Sequence, residues 1–187
     1  MSEPNAGGDA PRVPAKLAHF VVRTPRYEET VRWYETVLGA RVVFGNPMLS
    51  FLTYDDEHHR VAVINMPGLA ESPGRVAGID HVAFTYAGLG DLLHTYRRLK
   101  EAGIAPYWCI NHGPTTSLYY RDPNGIQVEL QIDNFTSDEE LRVWLRSGAF
   151  RRNPIGVEFD ADLLCERFDR GDPVAELVRQ GSAPRPS

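Results

Sequence analysis

Cysteine is scarce in this chain. Its 187 residues include two, Cys109 and Cys165, far apart and without C-x-x-C spacing. A disulfide framework is therefore excluded, and a reducing cytoplasm is the expected compartment. Long apolar runs are missing as well. None approaches the roughly 20 residues that cross a bilayer, so no membrane partner is expected. A basic excess is also lacking: 20 Lys and Arg stand against 25 Asp and Glu, a net charge of −5. That balance argues against a general nucleic-acid binder. Residues 1–15 are rich in Gly, Pro and Ala and have no apolar stretch of the kind a secretory signal needs, so they read as a disordered tail. What remains is ordinary for a folded protein, with 42% hydrophobic and 24% charged residues in a length that suits one compact domain.

From Lys16 the pattern becomes regular. Leu17 to Val22 reads as a strand and Tyr27 to Leu38 as a helix, with Val31, Tyr34, Val37 and Leu38 at helical spacing and Gly39 at its end. Strands follow at Arg41–Phe44, Leu49–Tyr54 and Arg60–Ile64. The order then repeats: a strand at Ile79–Phe84, a helix from Leu89 to Ala102 ending at Gly103, and strands at Pro106–Ile110, Ser117–Arg121 and Ile126–Ile132. The fold class expected is α+β, two βαβββ modules over residues 16–66 and 78–135 paired into an open cup. Residues 136–187 form a C-terminal helical extension. Ser137 and Asp160 are N-cap candidates there. The extension could cover a sheet edge, close the cup or contact another subunit.

His19 and His81 occupy matching positions at the first strand of each module, and Glu129 lies on the last strand of the second. Two imidazoles and one carboxylate with open positions make the facial triad suited to non-haem Fe(II), and Zn(II) could use the same donors. Glu129 stands between Val128 and Leu130, where a carboxylate needs a partner because unpaired burial is costly.

A second constellation runs through Ile110-Asn111-His112, Leu118-Tyr119, Asp122-Pro123-Asn124-Gly125 and Glu129. It resembles the signature of type I extradiol ring-cleavage dioxygenases of the vicinal-oxygen-chelate superfamily, and the extension resembles that of the one-domain members. The wider resemblance spans about residues 16–133. It implies a glyoxalase-like fold and the meta cleavage of a catechol with both atoms of O2, in aromatic-compound catabolism. It also implies Fe(II), with Mn(II) as a possible substitute, held by His19, His81 and Glu129. By the same resemblance His59, the second of the His58-His59 pair, is the acid/base, and His112 and Tyr119 donate hydrogen bonds to developing negative charge. The loop Gly113-Pro114-Thr115-Thr116 is shorter than in some relatives. Two other functions share the fold: a metal-dependent isomerase, epimerase or lyase, and a non-catalytic small-molecule-binding resistance protein. The first needs a carboxylate or His in the last strand of module one, and Arg60–Ile64 has none.

Trp108 and Tyr107 are candidates for the substrate wall. Trp33, Tyr34, Phe51 and Tyr86 read as core. His58 is expected to face solvent, opposite His59 by strand alternation, and His94 to be a surface residue. Cys109 is expected to be an inert thiol. A homo-oligomer is expected because sheet edges need cover.

Overall fold

The computed structural model describes residues 12–70 and 77–186. Most of the expected tail, residues 1–11, lies outside the described residues. The first module is β1 (Phe20–Thr24), α1 (Tyr27–Leu38), β2 (Arg41–Gly45), β3 (Leu49–Thr53) and β4 (Val61–Asn65). The second is β5 (His81–Thr85), α2 (Leu89–Glu101), β6 (Trp108–Asn111), β7 (Thr115–Arg121) and β8 (Gln127–Asp133). Each makes a mixed sheet, in the orders β1-β4-β3-β2 and β5-β8-β7-β6. In both, the first strand runs parallel to the last and the other pairings are antiparallel. This is the expected repeat, in an α+β fold.

Alternation along the strands decides which face is buried. Val22, Leu52, Val61 and Val63 turn toward α1, where Tyr34 and Val37 are fully buried. Leu118, Tyr120, Val128 and Leu130 join the same core with Leu92, Leu93 and Leu99 of α2. The opposite faces carry the chemistry.

The strand expected at Leu17 begins only at Phe20. The reason is Arg60, whose guanidinium takes the carbonyls of Leu17 (2.7 Å) and Ala18 (3.1 Å). Those groups are thus satisfied by a side chain rather than by a ladder.

The turn Asp122-Pro123-Asn124-Gly125 joins the modules as well as reversing the chain. Asp122 is buried and accepts from the backbone N–H groups of Asn124 (2.8 Å) and Ile126 (2.9 Å). Tyr34 of α1 donates to it at 3.4 Å. Asn124 receives the Thr24 hydroxyl at 2.6 Å and donates to Thr30 at 3.0 Å. A second link is Arg98 of α2, which caps the last carbonyls of α1 at Thr36 (2.5 Å) and Val37 (3.3 Å).

The extension holds α3 (Asp138–Arg146), α4 (Ala149–Arg152), β9 (Val157–Glu158), α5 (Ala161–Asp169) and α6 (Val174–Leu177). Ser137 and Asp160 cap α3 and α5 as their positions suggested. The sequence reading contains neither β9 nor α4. β9 adds antiparallel to β6, so the extension covers that sheet edge.

Replacing Asp122 by Ala orphans two half-buried backbone donors and loosens the join. Urea unfolding is expected to show a loss of about 2–3 kcal/mol, with the slope of the transition unchanged.

Candidate active site

Glu129 sits mid-strand in β8. Register places it across from Ala83 of β5 on one side and Tyr119 of β7 on the other, and Tyr119 in turn faces Trp108 of β6. Ala83, Glu129, Tyr119 and Trp108 therefore form one row across the second sheet, on the face turned away from α2. The Glu129 side chain is 5% exposed, and its Oε2 lies 2.9 Å from Nε2 of His81. The other ring nitrogen of His81 is 2.8 Å from Oδ2 of Asp80. That hydrogen bond is the main reason the Asp80 carboxyl titrates below the usual carboxylate range. Both nitrogens of His81 thus face carboxylate oxygens. A buried carboxylate opposite an imidazole nitrogen calls for a cation between them, a proton or a metal ion. An imidazole whose second nitrogen is fixed by a carboxylate is the usual metal-binding arrangement. His81 and Glu129 fit a divalent cation on these grounds.

His112 and Tyr119 meet across the β6–β7 hairpin. The Tyr119 hydroxyl is 3.1 Å from His112 Nε2, and the Tyr119 ring packs edge-on to His81 with centroids 5.4 Å apart. Burial, then the nearby Glu129 charge, pushes the Tyr119 phenol upward, so it stays a proton donor at neutral pH. Trp108 lies 5.0 Å from the Tyr119 ring. Its indole N–H donates to Glu158 of β9 at 2.8 Å. Tyr107 stands at the rim, its hydroxyl bonded to Gln127 and its ring 4.3 Å from the Arg121 guanidinium.

The first sheet contributes a separate group. Val21, Ala62, Phe51 and Phe44 form the corresponding row there. His19 directly precedes β1 and is exposed. Its ring centroid lies 4.2 Å from that of His59. His59 is buried and stacks on Phe51, 4.2 Å and 12° apart. Burial, together with the charges His19 and His58 would carry, lowers the His59 pKa and favours its neutral form. Two expectations change here. Phe51 supports His59 rather than the helix-side core. His58 is exposed, but its Nδ1 is 2.6 Å from Nδ1 of His59 and not on an opposite face. Both residues lie in a bend before β4, where strand alternation does not operate.

The structure therefore joins His81 with Glu129, Tyr119 and His112, and joins His19 with His59. It does not bring His19, His81 and Glu129 to one point: among the described residues no three His, Cys, Asp or Glu side chains gather at metal-holding distance. His94 is exposed, as expected. Burial pushes the Cys109 thiol up to about 12, which makes it unreactive at neutral pH. Asp80 was missed in the sequence, although an acidic residue directly before a candidate ligand was its signal.

A family model described as the Glyoxalase/Bleomycin resistance protein/Dioxygenase superfamily matches residues 16–130. The chain is 44% identical over 173 residues to biphenyl-2,3-diol 1,2-dioxygenase 3 of Rhodococcus globerulus, covering 91% of each. It is 47% identical over 165 residues to biphenyl-2,3-diol 1,2-dioxygenase 2 of the same organism, covering 87% of this chain and 86% of the relative. A manganese-dependent 2,3-dihydroxybiphenyl 1,2-dioxygenase of Geobacillus genomosp. 3 is 27% identical over 64% of this chain and 37% of its own length. Among solved structures, a glyoxylase/bleomycin resistance protein/dioxygenase domain from Frankia sp. EAN1pec superposes with a TM-score of 0.57 at 17% identity, covering 69% of this chain and 99% of that one. The fold is the glyoxalase fold.

Removing the Asp80 carboxylate frees the His81 ring. The Asp80→Ala protein is expected to bind Mn(II) about 10–100-fold more weakly in calorimetric titration, without a change in fold by circular dichroism.

Proposed function

Because the chain belongs to the glyoxalase/bleomycin resistance protein/dioxygenase superfamily, we propose that it is an extradiol dioxygenase. It opens the ring of a catechol beside the two hydroxyl-bearing carbons and incorporates both atoms of O2. The observation that carries this reading is the buried Glu129 carboxylate facing His81, in a chain akin over most of its length to two biphenyl-2,3-diol dioxygenases. A catechol with an aryl substituent, in aromatic catabolism, is the substrate this kinship favours. The metal is assigned to His81 and Glu129, with His19, which stands apart from them in this structure, turning in as the third ligand. Fe(II) is our assignment, with Mn(II) as the substitute that the name of the Geobacillus relative supports. When bound, such an ion supplies the redox chemistry that lets triplet dioxygen react with a closed-shell diol.

The side chains divide the remaining work. His59, favoured neutral, accepts a proton as the catechol binds and returns it during ring opening. Tyr119, held protonated beside Glu129, offers a hydrogen bond where negative charge develops. Trp108 and Tyr107 flank Tyr119 and form the wall for the aromatic ring. The isomerase reading is disfavoured because β4, Val-Ala-Val-Ile-Asn, brings no carboxylate or imidazole as a fourth donor. A non-catalytic binding protein would have no use for a buried carboxylate opposite a fixed imidazole.

The partners proposed are the catechol and O2, without nucleic acid or membrane. No helix among the described residues is long and apolar enough to cross a membrane. Both cysteines are free, which fits the reducing cytoplasm. A homo-oligomer is proposed because all of β2 is exposed at a sheet edge, including Val42, Val43 and Phe44. Sedimentation velocity is expected to show a dimer or larger species.

The decisive experiment is anaerobic loading with Fe(II), addition of 2,3-dihydroxybiphenyl or 3-substituted catechols, then air. Yellow ring-opened product is expected. His59→Gln is expected to lower kcat about 10²–10⁴-fold with Mn(II) binding retained. No colour across a broad catechol panel overturns the reading.

A further inference from the structure

The C-terminal extension reaches the site through a backbone oxygen. His112 Nδ1 donates to the carbonyl of Ile155, just before β9. Ile155 is 60% exposed, so the residue contributes its main chain rather than its packing. A carbonyl can only accept. The neutral His112 ring therefore carries its proton on Nδ1, and Nε2 is left as an acceptor for the Tyr119 hydroxyl at 3.1 Å. With its one N–H held by Ile155, a neutral His112 ring acts on the reacting oxygen through Tyr119, whose hydroxyl rests on Nε2 and turns from it to donate where negative charge develops.

Two residues hold the carbonyl in place. The Asn153 side chain closes the loop on itself, donating to the Gly156 carbonyl at 2.7 Å and accepting the Gly156 N–H at 2.9 Å. Gly156 has φ +118°, and a Cβ there would stand 2.8 Å from His112 Cα and against the Asn111 carbonyl oxygen. Only glycine permits this approach of the extension to β6. The strand pairs Ile110–Glu158 and Asn111–Val157 then lock the register.

We propose that the Asn153–Gly156 loop is a positioning element of the active site. Through the Ile155 carbonyl it sets the His112 tautomer, and through that tautomer it aims the Tyr119 hydroxyl. The extension is then a working part of the catalytic unit as well as an edge cover. The proposal rests on His112 and Tyr119 serving ring cleavage as assigned above.

The test uses the full chain with Asn153→Ala, His112→Phe and the two combined. Long-range nitrogen–proton correlation spectra of the histidine rings report the tautomer without any turnover. Wild-type His112 is expected to be protonated on Nδ1, and Asn153→Ala to show a mixture. In the Fe(II)-loaded enzyme, Asn153→Ala is expected to lower kcat about tenfold with KM nearly unchanged. Added to His112→Phe, the same substitution should cost nothing further, because the loop acts through that ring. An Nε2-protonated His112 in the wild type overturns the proposal, and so does an equal loss of kcat in the His112→Phe background. A wild-type enzyme that opens no catechol would refute the assigned reaction, whereas the ring-nitrogen spectra judge the loop's role separately.

Discussion

The site is organised around a carboxylate that the sheet cannot leave uncompensated. Glu129 lies in a strand whose neighbours, Val128 and Leu130, are fully buried on the helix side. Alternation forces it onto the opposite face, and its side chain is almost completely withdrawn from water. Burying such a group alone would cost several kcal/mol. The surrounding residues answer that cost. Ala83 opposite it is small, His81 presents a nitrogen, and Tyr119 carries a hydroxyl with a pKa raised partly by Glu129 itself. Asp80 then fixes the far side of His81, and His112 receives the hydroxyl of Tyr119. Each polar group is oriented by the next, outward from the carboxylate.

That chain lies wholly within the second module, whereas His19 and His59 belong to the first. The relation between the modules is set by the Asp122–Gly125 turn, which is bonded to Thr24, Thr30 and Tyr34. Thr24 ends β1 and Gln127 begins β8 just beyond the turn. A shift of the turn would therefore move the strand bearing Glu129 relative to the strand that follows His19. On the other side of His19, Arg60 grips Asp55 and the carbonyls of Leu17 and Ala18, which brings the His19 backbone alongside His59. Rigid anchors thus surround an exposed His19 ring. In its proposed role as a ligand, His19 needs that combination to turn toward a cation without disturbing the sheet.

The repeat was legible because each module ends its helix at a glycine and each strand carries an apolar alternation that needs one buried face. The His81–Glu129 pairing was legible for a related reason: an acidic residue within Val128-Glu129-Leu130 has to find a partner. Other features leave no such trace. Strand alternation misplaced His58 because the residues before β4 bend. Phe51 has the composition of a core residue, and only register shows that it lies beneath His59. β9 is two residues long, too short for any periodicity. The Ile155 carbonyl is the extreme case, because every residue has one and its use depends on where the loop passes.

The first module offers imidazoles backed by an aromatic ring, and the second offers a carboxylate, a phenol and an imidazole of fixed tautomer. Joined, they serve opposite electrostatic needs. Burial, and then the reluctance of three close histidines to gain positive charge together, favours a neutral His59. A buried carboxylate between His81 and Tyr119 demands positive charge, which favours a cation at Glu129. Under the proposed function, an acidic diol would meet in His59 a group ready to take its proton and at Glu129 a site ready to hold a cation. Neither module has both properties. The functional unit is consequently the pair, and the duplicated βαβββ architecture follows from the chemistry as much as from packing.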